Sequence, residues 1–283
     1  MNQEPMIVKF SGDMVPFSEQ KFRQSLRRSG APNDIVDTVV QEMRRQLRDG
    51  MTTQELHRRT RSMLQKLSRN ELAGRYDLKQ AIMRLGPTGF PFEKYVAQIF
   101  KARGYSVTVD AQVKGHCIVH EVDVLGINQT ERILVECKFH QEGGRCSIQT
   151  ALYVKARYDD IQEACEKDSS CGPRYNGCWL VTNTKFTSMS IDYGQCRGLN
   201  LLSWGYPFGQ GLETLIDQIG LHPITCLPSL TFTFTQKLIE AGIILCKDIA
   251  GNEDVLRKLG FGNARIDAVM RESRLICQCK SAG

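Results

Sequence analysis

The chain has 283 residues, 41% of them hydrophobic and 24% charged, with a formal net charge of +6. This is the composition of a globular protein, and the length points to two or three domains rather than one small core. No run approaches the roughly 20 apolar residues that span a bilayer. The opening MNQEPMIVKF lacks a charged-then-apolar signal pattern, so a cytoplasmic setting without membrane association is expected.

The charge is unevenly placed. Residues 1–86 carry 16 Lys and Arg against 10 Asp and Glu, and the remainder carries 21 of each. An excess in one module suits a phosphate-bearing partner, although a solvated helical face produces the same count. The 11 cysteines are expected to be reduced thiols. Most, such as Cys137, Cys178 and Cys246, sit in apolar runs as small hydrophobes. Cys117/His120 and Cys137/His140 lack the closed Cys-x-x-Cys pairs of structural zinc sites, and the first pair falls in an expected strand that would turn its side chains to opposite faces.

In chain order, short strands at Met6–Phe10 and Met14–Phe17 lead into helices. Phe22 and Leu26, then Ile35, Val39, Met43 and Leu47, then Leu56, Met63, Leu64 and Leu67 recur at helical spacing. Gly30-Ala-Pro32 and Asp49-Gly50 break them, and Gly86-Pro-Thr-Gly89 reads as a linker or tight turn. From residue 90 helix and strand alternate. Pro91 starts and Gly104 stops a helix whose apolar stripe is Phe92, Tyr95, Val96, Ile99 and Phe100. Strands follow at Tyr105–Val109, Ile118–Ile127 and Arg132–Phe139, then a helix near Thr150–Cys165, strands at Cys178–Thr182 and Leu199–Trp204, and a helix at Leu212–Ile219. Residues 226–277 read as all-helical, with a hairpin at Leu259–Gly262.

The strongest local signal for chemistry is the hairpin His116–His140. Alternation places Glu121 and Asp123 on one face of their strand, with Val122 and Val124 on the other. In the next strand Leu134, Glu136 and Lys138 share a face, opposite Ile133, Val135, Cys137 and Phe139. If the turn centres on Gln129–Thr130, Asp123 lies opposite Glu136; a one-residue slip would turn it away. Facing carboxylates repel unless something positive sits between them, and a divalent cation with oxygen ligands resolves the conflict. Lys138, roughly 7 Å beyond Glu136 on the same face, can contact a scissile phosphate or orient the attacking water. Glu93 sits at the edge of the apolar stripe of its helix. A polar sheet face with an ion pair, and a solvated first-turn glutamate, account for the same residues without chemistry.

The run Phe92-Glu-x-x-Val96, Gly104-Tyr-x-Val107, Glu121-Val-Asp-Val124 and Val135-Glu-Cys-Lys138 resembles the PD-(D/E)XK nucleases, in particular the Mrr-type restriction endonuclease-like group. The resemblance implies an αβββαβ core with Asp123 and Glu136 as Mg²⁺ or Mn²⁺ ligands, Lys138 as the lysine of E-x-K, and Glu93 as the acidic residue of the first core helix. It also implies a glutamine in the helix after E-x-K, for which Gln149 is the candidate. Leu180–Thr187 and Leu202-Ser-Trp204 look like the closing strands of this group.

Ile7-Val-Lys-Phe-Ser-Gly12, Val15-Pro-Phe-Ser-Glu-Gln-Lys21 and Leu26 resemble the ATP-cone, a nucleotide-sensing domain. Lys9, Lys21 and the backbone near Gly12 would then contact the phosphates of ATP or dATP. Phe10 stands where the family commonly has a second basic residue. A basic helical docking domain is the alternative. Gly260-Phe-Gly262-x-Ala264 resembles a helix-hairpin-helix turn, which approaches DNA phosphates through backbone amides. With seven basic and six acidic residues over 226–277, protein docking or core extension fits that segment equally.

The expected protein is therefore an α/β nuclease core (87–222) between a mostly helical ATP-cone-like domain (1–86) and a small all-α domain (223–283). Its expected activity is metal-dependent hydrolysis of DNA, regulated by nucleotide, with homodimerisation common in such cores. A nucleotide-responsive DNA-binding regulator with a vestigial core, and a structure-selective junction resolvase, are the alternatives.

Overall fold

A computed structural model describes residues 4–9, 12–86, 88–168, 171 and 175–277. Phe10 of the cone-like loop, Pro87 of the expected linker and the last six residues lie outside the described residues.

The first of two units combines residues 1–81 with 224–238 and 246–283. Strand β1 (Met6–Val8) pairs antiparallel with β2 (Met14–Pro16) and parallel with β3 (Met51–Thr52). Helices α1 (Glu19–Arg28), α2 (Asn33–Gln46) and α3 (Thr53–Lys66) follow their predicted stripes, and α4 (Asn70–Tyr76), for which no stripe was predicted, comes after them. They bury Phe22, Leu26, Val36, Val39, Met43, Leu56 and Leu64 in one core.

After α5 (Leu78–Met83), the chain returns to this unit through a short 3-10 turn, Ile224–Cys226, and then α10 (Phe232–Glu240), α11 (Glu253–Lys258) and α12 (Asn263–Cys277). Where three separate segments were expected, the N- and C-terminal ones thus group together. Asn70 Nδ2 donates to Glu272 Oε1 at 2.8 Å, and Arg75 donates to the carbonyls of Leu275 and Ile276 at 2.8 and 3.0 Å. These arginine contacts satisfy terminal carbonyls of α12 that have no intrahelical partner. Gly74 permits the approach: a Cβ there would lie 2.6 Å from the Cys226 carbonyl oxygen and 2.7 Å from Ile276 Cδ1.

The second unit, residues 82–223 with 239–245, is a mixed α/β structure. Helix α6 (Phe90–Ala102) precedes three antiparallel strands, β4 (Ser106–Lys114), β5 (Val119–Ile127) and β6 (Arg132–Lys138). After β7 (Arg145–Cys146) comes α7 (Ile148–Lys167). Then β8 (Gly177–Thr182), β9 (Lys185–Phe186), α8 (Ser188–Arg197), β10 (Asn200–Leu202) and α9 (Leu212–Ile219) complete the order. The five-stranded sheet runs β10-β8-β6-β5-β4, with β6, β8 and β10 parallel. Gly104, at φ 90°, lets the chain leave α6 through a left-handed turn. Phe92, Tyr95, Val96, Ile99 and Phe100 are fully buried. Phe92 packs on Phe139 and Phe100 on Trp179, so α6 covers one face of the sheet. Helix α7 covers the other through Ile161 and Cys165, packed with Leu134 and Val122.

The strand expected at Cys178–Thr182 is observed as β8 and ends at Thr182, after which Asn183 turns back to exchange hydrogen bonds with the backbone of His140. Cys165 and Cys171 form a disulfide with Cα atoms 5.2 Å apart, against the expectation of reduced thiols throughout. The end of α7 brings them within bridging distance.

Candidate functional site

The β5–β6 hairpin has the expected register: Val124 pairs with Val135, Leu125 with Leu134 and Ile127 with Arg132. The turn is held by Asn128, whose side-chain oxygen accepts from the backbone N–H groups of Thr130 and Glu131. This register puts Asp123 and Glu136 across from each other where the regular ladder ends. Asp123 replaces the next ladder bond with its side chain, Oδ2 accepting from Cys137 N at 2.6 Å.

Strict alternation in β5 fails at this point. Val122 joins Leu134 and Ile161 on the α7 side rather than the face predicted for it. A carboxylate substituting for a carbonyl in the ladder allows the strand to slip out of its two-residue period. On the neighbouring strand Asp110, between the pairs Val109–Val124 and Ala111–Val122, adopts a left-handed conformation at φ 54°. The sheet is therefore irregular on both sides of Asp123, as β-bulges make it beside many functional sites.

Burial and like charge act together here. Asp123 is raised above the ordinary carboxylate range chiefly by burial; the Cys137 N–H and Arg157 pull it back, and Asp110 and Glu121 oppose them. Glu136 is pushed up to about 7 by burial first and then by the charge of Asp123. Glu93, in the first turn of α6, is likewise pushed up to about 7 by burial and by Asp123. Lys138 is exposed at the end of β6 and favours the charged form of Glu136. Asp123, Glu136, Glu93 and Lys138 thus share one electrostatic environment.

Gln149 does not join them through any hydrogen bond among the described residues; it lies exposed in the first turn of α7. The α7 side chain that reaches the acidic pair is Arg157, two turns further on. Its Nη1 donates to Glu136 Oε2 and, at 2.9 Å, to the Glu121 carbonyl. Its Nη2 donates to the Tyr153 hydroxyl at 2.6 Å, and the guanidinium lies 4.7 Å from the Tyr153 ring centroid. Val122, Leu134, Val154 and Cys178 line the same small cavity as this ion pair. The available signal was an arginine at i+3 from Val154, on the flank of the stripe Ala151, Val154, Tyr158, Ile161 and Cys165.

As donors, these residues fit a divalent cation: oxygen ligands of one charge sign, crowded and partly desolvated, gain most from a small dication. Asp123 and Glu136 would hold it, with Glu93 in support. Among the described residues no three His, Cys, Asp or Glu side chains already converge on a metal position, and Glu136 is paired with Arg157. The expected cone residues lie elsewhere, in the first unit. Lys9 and Lys21 are exposed, and Gly12 sits at φ 87° in the β1–β2 turn.

Residues 222–277 match the family description "AF1548-like, C-terminal". An uncharacterised protein of Archaeoglobus fulgidus is 31% identical over 182 residues, covering 64% of this chain and 99% of that protein. The chain belongs to the AF1548-like family. The crystal structure of AF1548, a protein of unknown function, superposes with a TM-score of 0.55 at 29% identity, covering 67% of this chain and 98% of that one. The AF1548-like chain described here has no described helix long and apolar enough to cross a membrane.

Proposed function

We propose that this AF1548-like protein is a metal-dependent nuclease that hydrolyses DNA phosphodiester bonds, with Asp123 and Glu136 as ligands for Mg²⁺ or Mn²⁺. The reading rests above all on carboxylates desolvated together where the ladder breaks. Such clusters carry an electrostatic penalty that a structural role does not require, and they concentrate at functional sites.

Lys138, exposed at the strand end beyond Glu136, would contact the scissile phosphate. Its charge would offset negative charge developing in the transition state. Glu93 supports the site from α6, neutral or charged according to what occupies the centre. A metal held there would supply Lewis acidity for activating water and stabilising the phosphate oxygens. Gln149 takes no part in this arrangement unless substrate engages the start of α7. The first unit is proposed to bind ATP or dATP through Lys9, Lys21 and the turn at Gly12, and so to regulate cleavage.

Plasmid nicking with Mg²⁺ or Mn²⁺ tests the assignment. Activity should appear with the wild-type protein and vanish in Asp123→Ala and Lys138→Ala; nicking that survives both changes would sink it. The ion pair held by Glu136 favours one other reading, a nucleotide-responsive DNA-binding regulator whose core no longer cuts. DNA and ATP binding without divalent-metal binding would select that reading.

A further inference from the structure

Arg157 is a cation already present where the acidic pair needs one. Its guanidinium bridges the Glu136 carboxylate and the backbone carbonyl of Glu121, both at the irregular centre of the sheet. Arg157 and Glu136 have only 16% and 19% of their side chains exposed. Such a pair is shielded from water and competes more effectively than a surface ion pair.

Two features of this pose bear on the arginine's freedom to leave it. Its Nε is buried without a hydrogen bond among the described residues, so the guanidinium is incompletely satisfied where it lies. Its outer partner, Tyr153, is 58% exposed and holds the guanidinium by both its hydroxyl and its ring. Tyr153 is therefore a surface station on which the guanidinium can remain after letting Glu136 go.

We infer that Arg157 is the resident counter-ion of the acidic pair, and that a divalent cation binds by taking Glu136 from it. The Arg157–Glu136 contact then sets metal affinity. This rests on the proposal that Asp123 and Glu136 are metal ligands. Arg157 is a positioning residue in this scheme: it fixes Glu136 while metal is absent and withdraws toward Tyr153 when metal is present.

Mn²⁺ titration of the full-length protein without DNA, by calorimetry or by the loss of the free-ion electron paramagnetic signal, separates the two ideas. Arg157→Gln should tighten Mn²⁺ binding about tenfold, the equivalent of one lost charge-assisted hydrogen bond. Should Arg157→Gln fail to fold, Arg157→Lys carries the test. Lysine keeps the charge but cannot bridge both acceptors as a planar fork does, so tightening of about threefold is expected. A merely structural tie between α7 and the sheet would lower thermal stability and leave Mn²⁺ affinity unchanged or weaker; that result overturns the inference. Asp123→Ala in each background distinguishes the failures. Asp123-dependent Mn²⁺ binding that ignores the Arg157 changes defeats the exchange alone. Absence of Asp123-dependent binding in the wild type and in the Arg157 variants defeats the metal site itself.

Discussion

In the first unit Glu19 is held below the ordinary carboxylate range by Arg23, with Arg44 adding to the effect, and Glu55 is held down by Arg59 and Arg48. In the α/β unit Glu93 and Glu136 are pushed the other way, to about 7, by burial and by each other's neighbours. Even Asp77, a buried acid of the first unit, has the imidazole of His57 at 2.8 Å and Arg61 at 3.3 Å. The same residue types therefore do different things. Where arginines of the same helix or of an adjacent segment reach the carboxylates, charge is settled locally. Where carboxylates are drawn together in a sheet, burial and like charge raise them even with Arg157 against Glu136, and the proposed metal site rests on that contrast.

The sharpest way to break this contrast is to mutate both sides and read catalysis. Asp123→Ala should lower the initial rate of Mg²⁺-dependent plasmid nicking by at least about 100-fold, as loss of a principal electrostatic contributor does. Lys9→Ala and Lys21→Ala should leave the rate without nucleotide unchanged and abolish its response to ATP. A nicking rate indifferent to Asp123 removes the functional side of the comparison.

Packing comes next in size. Phe100 is fully buried between α6 and the sheet, in contact with Trp179 and Tyr105. Phe100→Ala should destabilise the α/β unit by about 3–5 kcal/mol, read from its denaturation midpoint. A smaller loss would mean that α6 is a looser support for Glu93 than its burial indicates.

The pH dependence should carry the opposite sign in the two units. Glu93 and Glu136 have folded pKa values of about 7 against 4.5 for the unperturbed group, so between those limits the folded state binds more protons than the unfolded one. Stability of the metal-free α/β unit should therefore fall as pH rises from about 5 to about 7.5. Glu136→Gln or saturating Mn²⁺ should flatten that fall in a series of thermal melts. Glu19, Glu42 and Glu55 are lowered instead. Their contribution is present above the unfolded value and is lost only on acidification through the lower folded one.

The smallest effect is expected at Glu55. Arg48 and Arg59 meet it at 3.3 and 2.7 Å, and both arginines are more exposed than Arg157, Arg48 at 66%, so solvent and salt screen these pairs more strongly. Glu55→Gln should leave the melting temperature unresolved from wild type in physiological salt. A clear drop would show that charge pairing in that unit holds the fold and is not merely surface chemistry.

Local rules were enough for much of this protein. The apolar stripe of α6, its stop at Gly104, and the hairpin centred on Gln129–Thr130 with Asp123 across from Glu136 all follow from period, turn chemistry and chain geometry. The site acids were therefore legible, since two of them sit on one hairpin and their separation depends only on register. Helix α8 was not, because its apolar signal is weak: it runs Ser188–Arg197 with Ser190 and Gly194 as its buried residues. Nor was the grouping of the C-terminal helices with the N-terminal unit, which depends on Gly74 meeting Cys226 and Ile276 about 150 to 200 positions away in sequence.

Arg157 shows the boundary best. Its sequence position marks it as a basic residue on the flank of a helical stripe, and no local rule says which strand it will meet. Only the packing of α7 on the sheet places its guanidinium against Glu136 and the Glu121 carbonyl. The carboxylates were determined by sequence because strand pairing is short-range. Their counter-ion was decided by tertiary structure, because helix-on-sheet packing sums many weak apolar contacts that no single segment encodes.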